Sequence, residues 1–489
     1  MTDYGFWSLI PPVVAIALAI RTRQVYISLG LGIWAGWVII NRGNPLNGSA
    51  ATVRAIVDVF KNDGSTQTVL FTLLIGSLIA FMQRSGGVIG FTTLINSRLK
   101  KKQQSALSVQ LWAALTGLII FVESNISALT VGTLFRPLTD RYKISREKLA
   151  YLADSTSAPS SILIPLNAWG GFIMGLLLLQ GFDQPFLTLL SAIPYNIYPI
   201  LAVAMVFIII RTGRDFGPMK KAERRAREEG KPLRDGATPM VSSEITLMEA
   251  KQGKPGRAIN MLLPVGVMVL AMPVMLVCTG WKNVEPGTAV SFIDHSLQAV
   301  SNSSGAASVL YSVLISLLVS AIAFRAQKIL NIKELAATAL KGMSGMVSMA
   351  LLMVLAFAIG NLCNEMGTGD YVAAITNRWL SPSLAPLLIF LASCFIAFST
   401  GTSWGTFAIM IAIAVPVANS MDAHVPLTIA AALGGGVFGD HCSPISDTTL
   451  ISSMASASDH IDHVRTQLPY SLTAGLLTAL IYLILGYLI

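Results

Sequence analysis

The sequence predicts an all-α polytopic membrane protein. It has about 12–14 transmembrane segments in two inverted-topology repeats, with broken helices or re-entrant hairpins at the midplane. Three observations carry this. Of 489 residues, 53% are hydrophobic and 12% charged, with a mean hydropathy of +0.65; a soluble domain carries roughly 25% charge. Runs of 17 or more mostly apolar residues recur, as at 185–210, 259–279 and 468–489, each long enough to cross hydrocarbon. Clusters of carboxylates, hydroxyls, Gly and Pro interrupt such runs at matching places in the two halves.

In chain order the expected spans are 6–20, 25–40, 66–82, 106–122, 126–138, 160–179, 185–210, 259–279, 306–324, 343–362, 383–398 and 404–419, then a broken element over 425–454, then 468–489. The first stays as a span, because 1–4 lacks a basic region and 6–20 runs into Arg21 and Arg23 without a small-residue cleavage site. Segment 86–99 ends in Arg98 and Lys100 to Lys102 and reads as interfacial and amphipathic. The chain divides into an N-terminal transmembrane half, 1–210, a basic linker, 211–258, and a C-terminal half, 259–489. A second, nearly uncharged loop over 280–305 is placed outside. The sequence leaves open whether 425–454 crosses or re-enters, and with it the side of the C-terminus.

The net charge of +9 is a matter of topology rather than of nucleic acid. Twelve basic residues lie in 211–257, with Phe216 as the one aromatic among them. A basic loop between spans reads as cytoplasmic by the positive-inside rule, and a nucleic-acid face would interleave more aromatics. Arg21, Arg23, Arg98–Lys102, Arg141–Lys148 and Arg325–Lys341 fall on the same side when the spans alternate, whereas beyond 343 only Arg378 and Arg465 are basic. That asymmetry suggests two halves of opposite orientation. Cys278, Cys363, Cys394 and Cys442 form no CxxC pair and read as small core residues.

The densest motif is Gly434-Gly-Gly-Val-Phe-Gly-Asp440-His441-Cys-Ser443-Pro444-Ile-Ser446-Asp447-Thr448-Thr449. Glycines and a proline argue against one continuous helix. Broken backbone at membrane depth is tolerated only where protein or a water-filled cavity satisfies its polar groups, and ionisable residues there mark an ion or substrate site. Each half carries such a pair of clusters. The first has Phe121-Val-Glu123-Ser124-Asn125-Ile-Ser127 and then Asp154-Ser-Thr-Ser157-Ala-Pro159-Ser160-Ser161; the second has Phe398-Ser-Thr400-Gly-Thr402-Ser403 and then the Asp440 motif. The spacing is 31 residues from Glu123 to Asp154 and 38 from Thr402 to Asp440.

A hard monovalent cation such as Na⁺ wants oxygen ligands. Asp154, Asp440, Asp447 and Glu123 supply charge, with Na⁺ expected at the three aspartates. Asn125, Ser157, Ser160, Thr402, Ser403, Ser443, Ser446 and Thr448 supply neutral polar groups. A carboxyl in an apolar cavity holds either a proton or a cation, which would couple the two. Asp440, His441 and Asp154 are the residues expected to handle protons, His441 because imidazole titrates near neutrality. Plainer roles stand beside these: Glu123 as a helix cap or interhelical link, Asp154 as an N-cap, His441 as a structural donor. Glu365 and Asp370 read as external surface. Asp459, His460, Asp462 and His463 have metal-like spacing but follow a Ser-rich turn at the membrane edge, so metal binding is not expected there.

Gly401-Thr-Ser-Trp-Gly-Thr406 and Gly439-Asp-His-Cys-Ser-Pro-Ile-Ser-Asp-Thr-Thr449 resemble the signature motifs of the NhaC family of Na⁺/H⁺ antiporters, and Trp7-Ser-Leu-Ile-Pro-Pro-Val-Val resembles its opening. The resemblance implies a bacterial inner-membrane, multi-pass antiporter of the ion-transporter superfamily, working by alternating access as a homodimer. It implies no cofactor beyond the transported Na⁺ and H⁺. Some members resemble Na⁺-coupled exchangers of small organic acids, such as malate against lactate, or of amino acids, and that is the alternative reading. No Arg or Lys lies in the four clusters, although a helix N-terminus could receive a carboxylate instead. A channel would show a continuous polar pore. An enzyme is disfavoured because no nucleophile-elbow or metalloprotease spacing is present.

Overall fold

The computed structural model describes residues 4–22, 24–100, 105–121, 123–239, 256–284, 291–368, 371 and 381–489; Asp370 lies outside them. Among the described residues all regular structure is helical. In order the α-helices are α1 (Ile10–Thr22), α2 (Val25–Ile40), α3 (Pro45–Asp58), α4 (Asp63–Arg84), α5 (Gly87–Lys100), α6 (Ala106–Ile119), α7 (Ser124–Arg141), α8 (Arg146–Ser155), α9 (Ala158–Leu163), α10 (Ala168–Leu179), α11 (Pro185–Ala192), α12 (Ile197–Thr212) and α13 (Gly217–Arg224). They continue with α14 (Ile259–Gly280), α15 (Phe292–Ser301), α16 (Gly305–Ala326), α17 (Ile332–Glu365), α18 (Ala385–Thr400), α19 (Ser403–Ser420), α20 (Val425–Cys442), α21 (Asp447–Ala455) and α22 (His460–Leu488). Eight helices are long and apolar enough to cross a membrane. The pair Arg146–Leu163 and Ala168–Leu179, bent by 41° at its break, makes nine. Four shorter apolar helices, Gly5–Leu18, Tyr26–Ile40, Ala106–Ile119 and Pro185–Tyr195, contribute further segments.

The basic linker marks one face of the molecule because its described part is docked there. α13 buries Met219 and Ala222. Glu223 accepts hydrogen bonds from the Ser145 N–H (2.8 Å) and Oγ (2.7 Å). Lys148 pairs with Asp215 (2.5 Å), Arg225 with Glu147 (2.9 Å) and Arg234 with Asp462 (2.5 Å). Asp459 caps α22 and also accepts from the Thr238 N–H (2.9 Å). Burial works against charge on Asp459, but the backbone N–H groups of Thr238 and Asp462 outweigh it and hold the carboxyl below its ordinary range.

Contacts at the two faces fix the direction of each helix. α22 starts on the linker and ends beside Ser383, so the beginning of α18 lies on the far face. α12 runs into the linker from that far face, where Tyr195 stacks on His424 (5.1 Å between rings) at the start of α20. The end of α21 is back at the linker: Arg146 donates to the Ser456 carbonyl (2.9 Å), and its own N–H donates to the Pro232 carbonyl (3.1 Å). Segment 425–454 is therefore a broken span that crosses, and the chain ends on the far face. α8, α9 and α10 cross in the other direction, from Arg146 to Leu179, whose carbonyl receives the Asn364 amide (2.8 Å).

Beside each broken span sits a hairpin. α6 and α7 pack as a hairpin, with Ser127 Oγ donating to the Gly117 carbonyl (2.9 Å), and α7 ends on the linker face, where Asp140 pairs with Arg146 (2.6 Å). α18 and α19 double back at Gly401, whose φ of +68° suits glycine, and return to the far face. One hairpin and one broken span thus enter from each face.

Small residues let these pieces nest. A Cβ on Gly439 would overlap Ala397 and the Phe398 N–H, and would lie 2.6 Å from the Cys394 carbonyl. One on Gly401 would meet the Ile445 carbonyl at 2.8 Å. Such close backbone approach is how helices associate in a lipid solvent, where tails are as apolar as side chains. Gly439→Val should therefore destabilise by roughly 1–3 kcal/mol through overpacking. Gly30→Ala, where a Cβ meets nothing within 4 Å, serves as the control. Thermal unfolding in detergent checks this; equal melting temperatures would refute the nesting.

Candidate functional site

Four helix N-termini, those of α7, α10, α19 and α21, converge on one inner cavity of about 100 Å³. Its lining includes Glu123, Asn125, Trp169, Trp404, Asp440, Asp447 and Thr448. Glu123 is the N-cap of α7, its Oε2 accepting from the Ile126 N–H (2.7 Å). Asp440, at the end of α20, ties the two C-terminal breaks together. Its Oδ1 accepts from Ser446 Oγ (2.6 Å) and its Oδ2 from Ser403 Oγ (3.0 Å). Since Ser446 spends its proton on Asp440, Thr448 Oγ1 (3.0 Å) is the donor to Ser446. Asp447 opens into the cavity and accepts from the Thr448 N–H (3.0 Å). Asn125 Oδ1 is buried without a partner.

An outer cavity of about 370 Å³ shares Glu123, Asn125, Gly345 and Met346 with the inner one and extends past Gln83 to Lys341. Gln83 lies at the end of α4 beside Ser85, whose carbonyl accepts from Asn260 (3.2 Å), just after the linker. The outer cavity therefore leads to the linker face. Glu123 stands where the two cavities meet.

Asp154 is elsewhere. Its Oδ2 accepts from Gln467 Nε2 (2.7 Å) and faces His463 Nε2 (3.4 Å), while its Oδ1 has no partner. His441 points the same way: Nε2 meets Ser155 Oγ (2.9 Å), Nδ1 meets Tyr198 OH (2.7 Å), and its carbonyl accepts from Gln467 (2.6 Å). This second polar cluster is fully buried between α8, α12, α20 and α22.

Of the three aspartates at which Na⁺ is expected, Asp440 and Asp447 line one cavity and Asp154 does not line it. Among the described residues no group of three or more His, Cys, Asp or Glu side chains gathers to hold a metal ion. Ser157 Oγ bonds the Asp154 carbonyl (3.0 Å), Ser160 Oγ the Thr156 carbonyl (2.6 Å) and Ser443 Oγ the Phe398 carbonyl (2.8 Å), so these hydroxyls serve the breaks themselves. Thr402 is the N-cap of α19 without a side-chain capping bond. His463 is buried against Asp154 near the start of α22, which the docked linker holds. Sequence reasoning did not single out Gln467 or Trp169. A signal for Gln467 existed: His463, Gln467 and Ser471 recur every four residues along α22, which puts them on one face.

A polytopic helical protein with a carboxylate-lined cavity at crossed helix breaks, open toward one face, has the build of a transporter. The chain belongs to the Na⁺/H⁺ antiporter family, whose sequence profile matches residues 171–487, and it is a secondary antiporter. An uncharacterized protein from Haemophilus influenzae is 31% identical over 98% of this chain and 91% of its own length. The malate-2H⁺/Na⁺-lactate antiporter of Bacillus subtilis is 28% identical over 32% of this chain and 33% of its own. In three dimensions the chain resembles MtrF of Neisseria gonorrhoeae, an antimetabolite efflux pump. The TM-score is 0.57 at 16% identity, covering 90% of this chain and 84% of that one, which is a likeness of fold.

Gln467→Leu tests the second cluster. It removes two buried donors from Asp154 and the His441 carbonyl, at a cost of about 1–3 kcal/mol. A lowered melting temperature is expected; an unchanged one would mean that the cluster is not held by Gln467.

Proposed function

We propose that this protein exchanges Na⁺ for H⁺ across the bacterial inner membrane by alternating access, with the Glu123–Asp440–Asp447 cavity carrying one or the other. The observation that carries this reading is that Glu123, Asp440 and Asp447 line one small cavity at the helix breaks. A cation or a proton arriving there relieves the repulsion among three acids held away from bulk water, so the two compete for the same carboxylates. Such competition is the simplest physical basis for exchange. The hydroxyls of Ser403, Ser446 and Thr448, clustered on Asp440, offer the oxygen-rich surroundings that Na⁺ prefers.

Two features support the transport cycle. The linker 211–258 is cytoplasmic on this reading, because its basic residues obey the positive-inside rule, so the cavity faces inward. The two halves, 1–210 and 259–489, each contribute a hairpin and a broken span entering from opposite faces, which fits two inverted-topology repeats able to rock about a central site. A second reading, exchange of a small organic solute by the same machinery, draws support from the cavity's size.

Purified protein in liposomes with an internal pH-sensitive dye and an imposed proton gradient tests the proposal. Na⁺ should collapse the gradient. Asp440→Asn and Asp447→Asn should each slow the collapse at least about tenfold, the equivalent of roughly 1.4 kcal/mol of lost stabilisation. Lowering the pH should raise the apparent KM for Na⁺, since protons occupy the shared position. Absence of any Na⁺-dependent proton flux would overturn the reading.

A further inference from the structure

The inner cavity is a poor match for a bare ion alone. It continues into the outer one through shared walls, and the outer volume of about 370 Å³ lies within the range of roughly 300–1,000 Å³ of small-molecule sites. The inner lining also mixes two chemistries. It carries Asp440, Asp447 and Glu123, and it carries Trp169, Trp404 and Met349. The two indoles are packed edge to face with ring centroids 5.9 Å apart, and Trp404 is held in turn by Phe172 (5.1 Å). Their packed rings offer apolar surface to a short alkyl chain.

Charge decides what sort of solute fits. Among the described residues no Lys, Arg or His lines the inner cavity, and Lys341 stands only at the outer mouth. Two of the four helix N-termini are capped by side chains: Glu123 accepts from α7, and Asn167 Oδ1 accepts from the Gly170 N–H of α10 (3.0 Å). Those of α19 and α21 have no side-chain cap, but Asp440 and Asp447 stand beside them. A carboxylate would meet three acidic groups without a compensating cation. An ammonium head would meet the same three groups favourably while a short alkyl body lay against the indoles.

We infer that the cavity accepts a primary alkylammonium cation with a short apolar chain, its head among Glu123, Asp440 and Asp447 and its body against Trp169 and Trp404. This rests on the proposed role of the cavity as a cation site and names a substrate class for it. Such a solute would replace Na⁺ at the same carboxylates, so the two would compete.

Calorimetric titration of the purified full-length protein in detergent with n-butylammonium, Na⁺ and malate tests the inference. The expected result is saturable butylammonium binding that Na⁺ displaces and Asp447→Asn abolishes. Trp404→Ala should weaken butylammonium about tenfold, the equivalent of about 1.4 kcal/mol, through lost apolar contact with its chain, and Trp404→Phe should restore most of it with the fold intact. Na⁺ binding without butylammonium binding would overturn the inference and leave the antiport reading standing. Malate binding in its place would overturn the inference and favour an anion site. If neither cation bound, the cation reading of the cavity would itself fail. Equal butylammonium affinity in Trp404→Ala and the parent protein would contradict the placement of the alkyl chain.

Discussion

A helix that stops in the middle of a membrane leaves N–H groups and a partial positive charge where no water is at hand to receive them. The interior of this protein depends on how that constraint is met four times in one place. α7, α10, α19 and α21 begin around the same cavity, and carboxylates answer three of them: Glu123 as a cap, Asp447 in the first turn of α21, and Asp440 through the hydroxyls of Ser403 and Ser446. The fourth is capped by the neutral Asn167. Helix N-termini and acids therefore stabilise one another, and a travelling cation or proton finds its charge partners among the same acids. Structure and chemistry share the same residues, and this is why a loss of charge there is expected to affect transport.

The arrangement is held by backbone proximity. Gly401, Gly435 and Gly439 bring α18, α20 and the Ile445 turn into contact that no larger residue would permit. On the other side of the bundle, Gly117 lies against Thr156, so the first hairpin nests on its own broken span in the same manner. The Asp154–His463–Gln467 group then links the first broken span to α22, whose start is clamped by Arg234 and Thr238 of the linker. A basic segment that topology alone would treat as a retention signal thus also packs as part of the body.

Much of this was legible in the sequence, and the reasons are physical. Membrane solvent leaves a strong compositional mark, and Gly, Pro and Asp at depth can mean little besides a break with a polar purpose. Hence the broken segment around Asp440, the polar cluster near Thr402 and the family resemblance followed from residues 401–449, whereas the segments on either side of Thr402 read as two separate spans and form a hairpin. What could not be read was which face of a broken segment its side chains take. Asp154 and Asp440 occupy matching places in the two halves, yet one turns toward α22 and the other toward the cavity. Periodicity is lost at a break, so the orientation is set by tertiary neighbours such as Gln467 and Ser403. The indoles of Trp169 and Trp404 were hidden for a related reason, since an aromatic in an apolar run looks like core until a cavity is found beside it.

The idea that one exchangeable charge sits among Glu123, Asp440 and Asp447 is most directly tested by counting protons as Na⁺ binds. Purified protein in weakly buffered detergent, near the pH where the sites begin to fill, can be titrated with NaCl against a soluble pH dye. About one proton released for each Na⁺ bound, and none from Asp440→Asn, is the expected result. Saturable Na⁺ binding with no proton release would mean that ion and proton do not share the position, and the competition proposed for the cavity would be wrong.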